Sequence, residues 1–100
     1  MKKQRTAPRI IGPDGRERPA SQEARINEWF AHTFRGVAAE HVMDYLKSIT
    51  INAVAGPEQS DSALRHLEGS RFIVGIIDTR IKLGVKQIAR MDKEKVEKDG

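Results

Sequence analysis

Residues 61–91, DSALRHLEGSRFIVGIIDTRIKLGVKQIARM, decide the fold. Leu64, Leu67, Arg71, Val74, Ile77, Ile81, Val85 and Ile88 step by three or four, the spacing that gathers side chains on one face of an α-helix. Ile73, Ile76 and Leu83 widen that stripe past about 100°, a sign of burial on more than one side. A helix over Asp61–Met91 would be roughly 46 Å long at 1.5 Å per residue. Gly69, Gly75 and Gly84 lie inside it. Each weakens a helix by about 1 kcal/mol relative to Ala, so together they predict close approach of a neighbouring helix or a kink.

Two shorter helices precede it. Ser21 is a suitable N-cap, with Glu23 in the first turn, and Ile26, Trp29, Phe30, Thr33 and Phe34 follow at helical spacing. Three of the five aromatics fall there, which makes this stretch the expected nucleus of the core. Gly36 is placed to end the helix as a C′ glycine. The second helix, about Ala38 to Ile49, puts Ala39, Val42, Leu46 and Ile49 on one stripe with Met43 and Tyr45 on its flanks. Residues 49–54 read as an extended connection, Gly56-Pro57 breaks the chain, and Ser60-Asp61-Ser62 offers caps for the long helix. The expected fold is therefore all-α: three helices, two short and one long and glycine-containing, the long one packed against both others. Each short helix spans only about 20 Å at the same rise. Part of the long stripe near Val85 and Ile88 is therefore expected to remain open to a partner. Domain limits are 21–91 for the helical body and 92–100 for a charged C-terminal tail of frayed helix.

Residues 1–20 read as an extended basic arm. Pro8, Pro13, Pro19, Gly12 and Gly15 break any periodicity, and Gly12-Pro13-Asp14-Gly15 is a turn signal. Arg9-Ile10-Ile11 can pair as a short strand, but the preferred reading makes Ile10 and Ile11 an anchor on another surface. Lys2, Lys3, Arg5, Arg9, Arg16 and Arg18 stand against Asp14 and Glu17 alone, so the net charge of +4 lies on residues 1–18 while the rest of the chain is balanced. Such an arm can meet a phosphate backbone or an acidic protein surface. A mixed role is expected, with protein docking through the isoleucines leading. Deleting residues 1–18 is expected to spare folding.

Catalytic chemistry finds no support. Cysteine is absent, which excludes disulfides and thiolate metal sites. His32, His41 and His66 fall on different helices and form no metal-ligand pair, so no metal and no cofactor are expected. Neither a G-x-S-x-G elbow nor a G-x-G-x-x-G or Walker loop occurs. No apolar run approaches the ~18 residues that span a membrane, and no apolar stretch follows the basic N-terminus as in a signal peptide. A soluble, unexported, non-enzymatic protein is expected. Arg80, Lys82, Lys86 and Arg90 offer a possible basic stripe on the long helix, interrupted by Asp78 and Asp92. Glu68 and Arg71, spaced i,i+3, are placed to form a structural ion pair. Arg71 lies on the apolar stripe, where an unpaired charge is costly.

Phe34-Arg35-Gly36, Val42-Met43-Asp44-Tyr45-Leu46 and above all Leu67-Glu68-Gly69-Ser70-Arg71 resemble a family of small uncharacterised tailed-bacteriophage proteins. These are encoded in the virion assembly region, near terminase, portal and capsid genes. The likeness covers about Trp29 to Leu83, with Ala38-Ala39 departing from the family pattern. It implies a head-, portal- or packaging-associated virion or assembly component, located in the virion or in the host cytoplasm during assembly. Its partners would be phage virion proteins or further copies of itself, docked through Ile10, Ile11, Val85 and Ile88. The six arm cations would be placed for DNA. The alternative is a small DNA-binding regulatory protein.

Overall fold

A computed structural model describes residues 8–99. The described chain runs strand β1 (Arg9–Ile11), strand β2 (Glu17–Pro19), helix α1 (Ala20–Thr33), helix α2 (Gly36–Ser48) and helix α3 (Asp61–Asp99). It is mostly helical, and three helices form. The expectation of three helices, two short and one long, holds in outline, and a two-stranded hairpin at the N-terminus is added to it.

The turn signal explains that hairpin. Pro13 sets φ for a turn that Gly15 closes at φ +83, with the Gly15 N–H donating to the Gly12 carbonyl at 2.9 Å. Asp14 Oδ1 accepts the Arg16 N–H at 3.0 Å and fixes the loop. Arg9 then lies opposite Pro19, Ile10 opposite Arg18 and Ile11 opposite Glu17, antiparallel. So residues 9–19 are a folded hairpin rather than an extended arm.

Pro19 leads directly from β2 into α1. It makes no side-chain cap, so the expected Ser21 cap is not used and the N-cap position lies two residues earlier. Helix α1 ends at Thr33. Gly36, expected to terminate it, instead opens α2 at φ +87, where the left-handed conformation lets the chain reverse between the two helices. Thr50 closes the far end of α2 by donating its hydroxyl to the Leu46 carbonyl at 2.5 Å. Ser60 Oγ accepts the Ala63 N–H at 3.1 Å and caps α3. That helix continues past Met91 through the charged segment expected to fray, reaching roughly 58 Å at 1.5 Å per residue.

Helix α1 lies along α3 in the same direction: Glu23 meets Arg80, and Asn27 meets Gln87 further on. Helix α2 runs back the other way, Lys47 pairing with Asp78 at 3.1 Å and the Thr50 carbonyl accepting from Arg71. Gly84 is where α1 and α3 cross. A methyl there would collide with the Asn27 carbonyl and the Ala31 side chain. Gly69 and Gly75 have nothing near an added methyl, so only one of the three glycines serves a helix contact within the chain.

The apolar core is small. Ala31, Met43 and Val74 are its buried hydrophobic residues, and Phe30 stacks on Phe34 with centroids 6.2 Å apart. Trp29, expected at the nucleus, is 59 % exposed. The molecule is long and thin, 63 × 40 × 15 Å, with a radius of gyration of 18.2 Å against about 13 Å for a compact chain of this length. No described helix is long and apolar enough to cross a membrane.

Candidate functional site: a polar clamp and the apolar surface around it

What α1 buries against α3 is a polar cluster. Glu23 and Arg80 are each only 2 % exposed. Arg80 donates from Nη1 to Glu23 Oε1 at 2.6 Å and to Asn27 Oδ1 at 2.9 Å, and from Nη2 to Glu23 Oε2 at 3.3 Å. Asn27 Nδ2 donates to Gln87 Oε1 at 2.8 Å, and Gln87 Nε2 donates to the Ala24 carbonyl at 2.9 Å. On the other side Arg18, from β2, donates to Glu23 Oε2 at 2.7 Å and to Asp14 Oδ2 at 2.6 Å. Among the described residues no buried side-chain polar atom lacks a partner. The hairpin, α1 and α3 are therefore tied together by one chain of charges, Asp14–Arg18–Glu23–Arg80.

The electrostatics follow from that geometry. The Arg80 hydrogen bond holds the Glu23 carboxyl below its ordinary value, assisted by Arg18 and opposed by burial. Asp14 is held well below the usual carboxylate range by the Arg18 hydrogen bond and then by the Arg16 N–H. Arg18 is correspondingly raised by Asp14 and Glu23. At Asp78 burial pushes upward, and the Lys82 and Lys47 ammonium groups together outweigh it, so its carboxyl is lowered. These are structural charges, each neutralised within the fold.

The cations of the arm are placed accordingly. Lys2, Lys3 and Arg5 lie outside the described residues. Arg9 pairs with Glu17 across the hairpin at 3.2 Å, and Arg18 is occupied by Asp14 and Glu23. Arg16 makes no ion pair with a described residue and is exposed. Arg80 is buried in the clamp and cannot belong to a basic stripe on α3. Lys82, Lys86 and Arg90 remain exposed.

Glu68 and Arg71 sit 2.5 Å apart at i,i+3 on α3. Arg71 also donates to the Thr50 carbonyl at 2.9 Å and to the Ala53 carbonyl. It thereby fastens the connection after α2 onto α3. The Glu68 end is largely in solvent.

The apolar side chains offered to solvent are numerous. Ile10 and Ile11 stand out from the hairpin, Ile11 at 71 % exposed. Val85 is exposed and Ile88 half-buried; both line a groove with Ala31, Phe34 and Ala89 where α1 turns into α2. On α2 the expected stripe is split: Ala39 and Leu46 are half-buried and the flanking Met43 is buried, while Val42, the flanking Tyr45 and Ile49 are exposed. They recur at i, i+3 and i+7 along one face. Phe72, Ile73 and Leu83 are exposed on α3.

Sequence reasoning missed the clamp and the outward faces. Arg80, Gly84 and Gln87 at i, i+4, i+7 on α3 were the available signal: one polar stripe with a gap in it, matching Glu23 and Asn27 at i, i+4 on α1. No group of three or more His, Asp or Glu that could hold a metal occurs among the described residues. No family model matches the chain, and no curated protein or solved structure matches it.

Proposed function

We propose that this chain is a non-enzymatic assembly component of a tailed-phage particle, associated with the head, the portal or DNA packaging. Its work is to bind neighbouring protein subunits through apolar surface. The observation that carries the reading is the imbalance between a small buried apolar core and large apolar side chains exposed on the hairpin and all three helices. Exposed apolar side chains in this number, beside so small a core, favour a protein-binding role. The phage assignment rests on the Leu67-Glu68-Gly69-Ser70-Arg71 motif and its companions. On this reading Ile10 and Ile11 dock on one neighbour, and the groove holding Val85 and Ile88 takes another. On this reading the cations at the N-terminus, Arg16 among them, contact DNA. The site of action is the virion, or the host cytoplasm while particles are built.

A small DNA-binding regulator is the second reading, favoured by the net charge of +4 concentrated at one end. Consumption of Arg9, Arg18 and Arg80 in internal pairs weighs against it. The composition of purified particles separates the two. The assembly reading expects the protein there in stoichiometric amounts. Absence from particles together with sequence-selective DNA binding would replace it with the regulator.

A further inference from the structure

The hairpin of β1 and β2 has one open edge. Its cross-strand bonds fall at even positions of β1. The Gly12 N–H donates to the Arg16 carbonyl at 2.9 Å and the Ala20 N–H to the Pro8 carbonyl at 2.7 Å, with Ile10 opposite Arg18 between them. Antiparallel ladders alternate between bonded and unbonded pairs, so the N–H and C=O of Arg9 and Ile11 point outward. Among the described residues no backbone group outside the hairpin bonds them. The β2 edge, in contrast, is closed. Pro19 has no N–H to offer, and the Arg9 guanidinium occupies the outward carbonyl of Glu17 at 3.3 Å. On the open edge Ile10 is 47 % and Ile11 71 % exposed, both β-branched side chains suited to a sheet.

We propose that β1 of a second copy of this chain pairs with this edge, antiparallel about a two-fold axis at Ile10, joining two hairpins into one four-stranded sheet. The inference rests on the protein-docking reading and names the neighbour that Ile10 and Ile11 meet. The edge is complementary to itself in one register. Centred on Ile10, the pairing sets Arg9 opposite the partner's Ile11 and Ile11 opposite the partner's Arg9, so the outward groups of both residues bond at once. Centred on Arg9, two like charges would meet; centred on Ile11, Arg9 would face the partner's Pro13, which has no N–H. In the Ile10 register no charge is set opposite its like. Arg9 keeps its own Glu17 at 3.2 Å, and its stem covers the partner's Ile11. The contact also limits itself, because the β2 edge is closed on each copy and a two-fold contact closes at a dimer. A lone two-stranded hairpin is marginal in water, and a four-stranded sheet is not.

The chain has no cysteine, so engineered thiols report the register cleanly. In full-length Ile10→Cys the two copies meet on the axis with Cα atoms about 4.5 Å apart, within disulfide range. Mild oxidation should turn most of that variant into a covalent dimer on a non-reducing gel. Full-length Ile11→Cys should cross-link far less, because its Cα atoms lie about 8 Å apart across the axis, beyond disulfide reach of about 7 Å. Random collision would rank the two the other way, since Ile11 is the more exposed. Light scattering of the unmodified chain should give twice 11.2 kDa. Ile11→Pro, which removes an outward N–H and leaves the β1–β2 ladder intact, should give the monomer mass. A monomeric unmodified chain, a dimer that survives Ile11→Pro, or Ile11→Cys cross-linking as readily as Ile10→Cys overturns the proposal. A monomer that still enters particles overturns the strand pairing alone and leaves the assembly reading standing. A dimer in this register that is absent from particles leaves the pairing standing and counts against the assembly reading.

Discussion

Glu23 is the residue on which the fold turns. Its carboxylate is shared by Arg80 and Arg18 in a site with almost no solvent, and removal of one member of a buried pair leaves the other unpaired at a cost of about 3–5 kcal/mol. Glu23→Ala should therefore lower the urea midpoint severely. Glu23→Leu combined with Arg80→Met should recover most of the loss, since an apolar pair of similar volume is often neutral or stabilising. The depressed Glu23 pKa also fixes the pH dependence. Its contribution is fully present above the ordinary value of 4.5 and is lost as pH falls through the lower native value. Acid unfolding followed by circular dichroism should accordingly be steeper below about pH 4.5 for the unmodified chain than for Glu23→Gln, 4.5 being the ordinary value. At Arg71 the two carbonyl contacts outweigh the exposed carboxylate. Arg71→Ala should cost about 1.5–3 kcal/mol, and Glu68→Ala under about 1 kcal/mol, both read from urea denaturation.

At the scale of elements, the three helices were legible because apolar residues recur every three or four positions in each. The hairpin was half legible: the turn residues were plain in the sequence, but two three-residue strands carry no periodicity of their own. The way the helices face was not legible. Apolar spacing marks a stripe as buried, yet α1 meets α3 through Glu23, Asn27, Arg80 and Gln87, and this polar contact leaves Trp29 outside. On α2 the stripe of Val42 and Ile49 was visible, but its direction depends on Met43 and Lys47 finding α3. Gly84 could be recognised as a place of close approach, though nothing in the sequence separated it from Gly69 and Gly75. Gly84→Ala should destabilise by about 1–3 kcal/mol through overpacking against Asn27. Gly75→Ala should gain up to about 1 kcal/mol in helix stability. Thermal melts of the two variants side by side check the contrast.

For the whole molecule, the arm and the body are not separable. Arg18 bonds both Asp14 and the buried Glu23, so deleting residues 1–18 removes a counter-charge from the interior. The deletion is therefore predicted to weaken the fold, against the expectation that it spares folding. Its melting temperature should fall by several degrees, roughly 4–8 °C for each kcal/mol lost in a domain of this size. Arg16→Ala should leave stability unchanged and lower the salt slope of any DNA affinity by at most about 0.9.

The central claim is that so much exposed apolar surface belongs against protein, with a second copy among the occupants. Folding and association are then one equilibrium, and stability must depend on protein concentration. The most direct test is urea unfolding of the unmodified chain at two concentrations a hundredfold apart. The account predicts a higher midpoint at the higher concentration, equivalent to about 2.7 kcal/mol. A midpoint that does not move across that range would contradict it.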